Sequence, residues 1–79
     1  MWELRNAVNQ LLKELCFSRV ELLNMYREKH QTKLSAQELS KYLNGSIETP
    51  KSRKVLSECL QILIDEQAKL KDLIAQAQV

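Results

Sequence analysis

One histidine, two cysteines and ten carboxylates are the side chains of this chain best suited to acid–base or metal-binding chemistry. Acyl transfer needs a nucleophile within reach of a base that a third group orients. His30 has no such partners near it in sequence; it sits between Lys29 and Lys33 in the polar stretch His30-Gln31-Thr32-Lys33 and is expected to be a solvated loop residue. The carboxylates, from Glu3 to Asp72, mostly occupy positions that a solvated helix face would fill. Cys16 and Cys59 lie far apart with no metal-ligand spacing, and are expected as small apolar side chains in a reduced compartment. A single glycine, Gly45, leaves no loop that could cradle a phosphate. The chain is therefore expected to be no enzyme and to take no cofactor, metal or small-molecule substrate.

Binding is the better-supported class, and two surfaces offer themselves. The first is basic: Arg27, Lys29 and Lys33 form one group, and Lys51, Arg53 and Lys54 another. Merged, they would suit a small DNA-binding transcriptional regulator, with phosphate contacts supplying the affinity. The intervening stretch Gln37-Glu38-Leu39-Ser40-Lys41-Tyr42-Leu43-Asn44 resembles the first helix of a helix-turn-helix, with the small Ser40 where a second helix must approach. It departs from that pattern at Asn44 to Thr49, which is longer than the usual turn, and at Pro50, which stands where an aliphatic residue is expected. A net charge of +2 is also low for such a partner.

The second surface is apolar and belongs to the last third of the chain. Leu56, Leu60, Leu63, Leu70, Leu73, Ile74 and Ala77 recur at the spacing of one helix face. Thr49 is placed to cap this helix and Pro50 to be its first residue, where a missing N–H costs nothing. Between residues 55 and 64 apolar side chains wrap more than half the circumference, whereas one antiparallel neighbour covers about a third. Burying each extra Ile or Leu is worth about 1.5–3 kcal/mol, a large fraction of a small domain's stability. Val55, Cys59, Ile62 and Ile64 are therefore expected to meet either Leu39, Tyr42 and Leu43 from within the chain or, at an interface, a protein partner or a second copy. Beyond Asp65 the stripe narrows to Leu70, Leu73, Ile74 and Ala77, the profile of a two-helix seam, and residues 75–79 are expected to fray.

These surfaces need elements to hold them. One Gly, one Pro and 44% apolar residues point to an all-α chain, and 79 residues make one domain with a thin margin of stability. No apolar run is long enough to span a membrane, and the opening Met1-Trp2-Glu3-Leu4-Arg5 lacks both a basic leader and an apolar segment, so a cytoplasmic setting is expected. The charge is uneven: residues 31–54 hold five Lys or Arg against two acids, and residues 55–79 hold two against four, an asymmetry that could be complementary between copies.

Residues 2–30 carry a stripe of Leu4, Val8, Leu11, Leu15, Leu22 and Tyr26 that stays in phase, so a continuous or gently bent helix is expected. It would expose Trp2, Phe17 and Val20 as a second interaction face. The competing reading breaks the helix near Phe17-Ser18, where Phe17-Ser18-Arg19-Val20-Glu21-Leu22 fits a capping box with a hydrophobic staple. The same pattern recurs at Leu34-Ser35-Ala36-Gln37-Glu38-Leu39, ahead of a short helix over 36–43 that Asn44-Gly45 would close. The expected architecture is an antiparallel hairpin of two long helices, 2–30 and 50–76, joined by the short one and assembled into a helical-bundle dimer. Its expected function is a non-enzymatic protein–protein interaction module: a small adaptor, chaperone or regulatory subunit.

Overall fold

A computed structural model describes residues 2–77, with the backbone alone at Trp2. Four helices follow in order: α1 (Trp2–Leu15), α2 (Arg19–His30), α3 (Ala36–Asn44) and α4 (Pro50–Ala77), with no strand among the described residues.

The first helix does not run through to His30, and local chemistry explains the break. Cys16 takes a left-handed conformation at φ 59°, which turns the chain out of α1. The Phe17 N–H then donates to Leu12 O at 3.0 Å, occupying a carbonyl that the ending helix leaves unpaired. Two residues on, the Ser18 hydroxyl accepts from the Glu21 N–H at 3.1 Å, while the Glu21 carboxylate accepts from the Ser18 N–H at 3.4 Å. Phe17 is half-buried against the core and Leu22 fully buried, the positions a staple would join. Phase continuity of the apolar stripe thus loses to two termination signals placed side by side. The long N-terminal helix, and with it the hairpin of two long helices, is replaced by two short helices packing independently.

The other ends follow the same logic. Gln31, at φ 51°, closes α2, its N–H donating to Arg27 O at 2.8 Å. Ser35 caps α3 by accepting from the Glu38 N–H. Gly45, at φ 79°, closes α3 in a conformation that favours glycine, and the Arg5 guanidinium lies where a Cβ would stand, so any side chain there would also displace Arg5. At the head of α4, Thr49 Oγ1 accepts from the Ser52 N–H at 3.1 Å; the Ser52 hydroxyl accepts from the Thr49 N–H and donates to Thr49 O. That closed exchange satisfies Ser52, a wholly buried polar side chain.

Polar contacts fix how the helices lie. Arg5 pairs with Glu48 at 3.1 Å and Asn9 Nδ2 donates to Leu43 O, so α1 and α4 start at the same end of the molecule, and α1 lies along α4 as its main neighbour. Helices α2 and α3 run antiparallel: Arg19 donates to Asn44 Oδ1 at one end and Arg27 Nε to Leu34 O at the other. Lys29 and His30, at the end of α2, reach Asp65 and Glu58 on α4. Between these contacts sits one core drawn from all four helices, with Val8, Leu22, Leu39, Leu56, Cys59 and Leu63 essentially inaccessible to solvent.

Candidate interaction surface

Helix α4 outruns everything packed on it. Its 28 residues span about 42 Å, close to the 46 Å long dimension of the whole molecule. The buried residues of α4 are Ser52, Val55, Leu56, Cys59, Ile62 and Leu63, all in its first half. From Ala68 to Ala77 every residue is exposed.

The exposed half keeps the phase of the buried half. Ser52, Leu56, Cys59, Leu63, Glu66, Leu70, Leu73 and Ala77 alternate in steps of four and three, the repeat that keeps one seam facing a neighbouring helix. Up to Leu63 that seam is covered by α1, α2 and α3; past Gln67 nothing described covers it. Leu70, Leu73 and Ile74 are left 39%, 60% and 57% exposed. They continue the core face of α4 into solvent.

At the root of this overhang a groove of about 350 Å³ opens between α2 and α4. Met25 and Ile62 supply apolar surface, and Glu28, Lys29, Asp65, Glu66 and Lys69 form the rim. Two ion pairs brace it, Lys29–Asp65 at 3.3 Å and Lys69–Glu66 at 3.2 Å. Hydrogen bonds from Gln61 and then from Lys29 hold the Asp65 carboxyl below its usual pKa. Its small contribution to stability is thus present above the ordinary aspartate value and lost as pH falls through the lowered one.

Among the residues expected at a protein interface, Val55, Cys59 and Ile62 are 5%, 0% and 5% exposed within one chain. They are core residues, of which only Ile62 shows an edge, to the groove, because three short helices wrap α4 where a single long neighbour leaves that girth uncovered. Burial pushes the Cys59 thiol up to about 12, with Glu58 adding to the effect, so the group stays protonated and inert. Ile64 is 43% exposed but lies about 100° from the Leu63 direction, off the seam. The face of Trp2, Phe17 and Val20 depended on an unbroken first helix. Phe17 instead turns into the core, Val20 is exposed alone beside a shallow hollow formed with Arg19 and Ala36, and the side chain of Trp2 lies outside the described residues.

The basic residues take separate partners. Lys29 meets Asp65, whereas Lys51 meets Glu38 at 3.6 Å; positions 51 and 65 stand about 21 Å apart along α4. Arg27 spends its Nε–H on Leu34 O, and Lys33, Arg53 and Lys54 are exposed. Ser40 borders the hollow beside α2, so the helix approaching it is α2 and not α4. His30 is the last residue of α2 and is half-buried: its ring lies 4.7 Å from that of Tyr26 and its Nδ1 2.9 Å from Glu58. The Tyr26 hydroxyl is raised above its ordinary pKa, first by burial and then by Glu58. No three potential metal ligands gather among the described residues.

The Leu70, Leu73 and Ile74 face thus gathers three of the five exposed large apolar side chains among the described residues, and the groove beside it was not legible as a site in the sequence. No family model, no curated protein and no solved structure matches the chain, so this surface carries the functional argument by itself.

Proposed function

We propose that the chain is a non-enzymatic protein–protein interaction module that presents the distal half of α4 as an amphipathic docking helix. The observation that carries this reading is the in-phase seam running on, exposed, for ten residues beyond the part of α4 that the other helices cover. Recognition of this kind lays apolar anchors at helical spacing against a complementary helix or groove. Leu70, Leu73 and Ile74 would be the anchors, and each still has about half of its roughly 1.5–3 kcal/mol of burial to gain. Assembly into a helical bundle is the form this takes, and a small adaptor, chaperone or regulatory subunit is the class of role. A cytoplasmic setting accords with two unpaired thiols, Cys16 and Cys59.

A photo-crosslinking amino acid placed at Leu73, and separately at Arg53, tests the proposal in the native cell. The expected outcome is a polypeptide adduct at position 73 and none at 53. Nucleic-acid adducts at position 53 with nothing captured at 73 would contradict it and favour the basic residues as the working surface.

A further inference from the structure

The occupant of that face can be named if the proposed docking role holds. We propose that it is the same face of a second copy, with the two α4 ends antiparallel about a two-fold axis between Leu70 and Leu73.

Three observations converge on this arrangement. The first is steric. On the seam side of α4 the body formed by α1, α2 and α3 occupies everything up to Leu63. A neighbouring helix has room only from about Glu66 outward. Two overhangs lying parallel would drive both bodies into the same space, whereas two lying antiparallel send them to opposite ends.

The second is electrostatic register. A parallel pair in register sets Glu66 against the partner's Glu66 inside the seam, and like charges in that position repel. The antiparallel pair that sets Leu70 against the partner's Leu73 also sets Glu66 against the partner's Ala77, with Lys69 already 3.2 Å from the Glu66 carboxylate. Flanking it, Lys69 faces the partner's Gln76 and Gln67 faces the partner's Ile74, so no like charges meet. Sliding by one heptad toward the body would instead oppose Lys69 to the partner's Lys69. Repulsion therefore disfavours the deeper register, and a slide of one heptad outward exchanges the Leu70–Leu73 contacts for the smaller Leu73–Ala77 ones.

The third is the groove. With the axis between Leu70 and Leu73, the partner's Ala77 falls at the level of Glu66, where the groove between Met25 and Ile62 lies. Each rod thus brings its Ala77 level with a hollow that the other copy provides. The shared surface, about a dozen residues of one helix per copy plus the groove, is smaller than a standard permanent interface. It suits a transient dimer with a dissociation constant of about 10 µM to 1 mM.

Sedimentation equilibrium of the full chain from about 10 µM to 1 mM tests this. The average mass is expected to rise from 9.2 kDa toward twice that value. Leu73→Glu is expected to weaken association at least tenfold without changing the circular-dichroism melt at low concentration, since Leu73 touches no core. Gln76→Glu, facing the partner's Lys69 twice in each dimer, is expected to tighten association by about 2–5-fold, and Gln76→Lys to weaken it by a similar factor. A chain that stays monomeric at the highest concentration, or a dimer indifferent to Leu73→Glu, overturns the inference. A dimer that Leu73→Glu weakens but that responds equally to both Gln76 variants overturns the register and with it the inference. A monomer that still forms adducts with another polypeptide at position 73 overturns the second copy as occupant while leaving the docking role intact.

Discussion

Replacing Cys16 with glycine asks whether the first thirty residues are one helix or two, because the two answers give effects of opposite sign. Cys16 is exposed and left-handed, at φ 59°. A non-glycine residue in that conformation costs about 1–2 kcal/mol. Glycine removes that cost, but its freer unfolded chain returns about 0.5–1 kcal/mol. The net expectation for Cys16→Gly is a gain of about 0.5–1 kcal/mol, or a melting temperature raised by about 2–8 °C for a chain of this size. Were the helix continuous, residue 16 would lie in its interior and glycine would lower stability by about 0.5–1 kcal/mol. Ser18→Ala supplies the reciprocal sign: loss of the cap costs about 1 kcal/mol at a helix start, whereas alanine in a helix interior stabilises by a few tenths. Both are read from urea unfolding midpoints followed by circular dichroism. A destabilising Cys16→Gly together with a stabilising Ser18→Ala would refute the break.

Three further perturbations follow from the same geometry. Gly45→Ala forces a Cβ into the left-handed region and against the Arg5 guanidinium; a loss of about 1–3 kcal/mol in urea unfolding is expected, and an unchanged midpoint would contradict the packing of Arg5 there. Leu63→Ala, at a fully buried position, is expected to cost about 2–5 kcal/mol, while Ile64→Ala next to it costs under about 1 kcal/mol; equal losses would mean that the seam is assigned to the wrong face. Because the Cys59 thiol is pushed up to about 12 in the fold, the unfolded chain gives up that proton first. Stability is therefore whole below about pH 9 and falls by up to about 1.4 kcal/mol per pH unit from there to about 12. A Cys59→Ala variant should lack that component of the alkaline loss, and in the parent a thiol reagent at neutral pH should label Cys16 at once and Cys59 only as the fold opens.

Much of this architecture was legible in residue types. Thr49-Pro50 marked the start of α4, Asn44-Gly45 the end of α3, and the two apolar-Ser-x-x-Glu-Leu runs the starts of α2 and α3. What misled was the phase of the stripe from Leu4 to Tyr26. It holds across the break because two separate helices each need one apolar face, and the stretch joining them has a length that keeps the faces in step. The turn itself hangs on Cys16 entering a conformation for which its type gives no warning. That single residue shortens α1 and brings α2 and α3 onto α4, converting Val55, Cys59 and Ile62 from expected interface to core. Leu70 to Ala77 read as a two-helix seam, yet no described helix covers them, because which helix covers a seam depends on relative lengths, and those depend on the break. The groove beside Met25 had no sequence signature, since it is made where two helices diverge.

Residue-resolved amide hydrogen exchange along α4, in a sample dilute enough to be monomeric, tests most directly whether the chain leaves half of its own seam uncovered. Slow exchange is expected from Val55 to Leu63, rising steeply near Gln67 to almost free exchange from Ala68 to Ala77, with that outer half becoming protected as concentration increases. Uniform protection from Val55 to Ala77 in the dilute monomer would contradict the account.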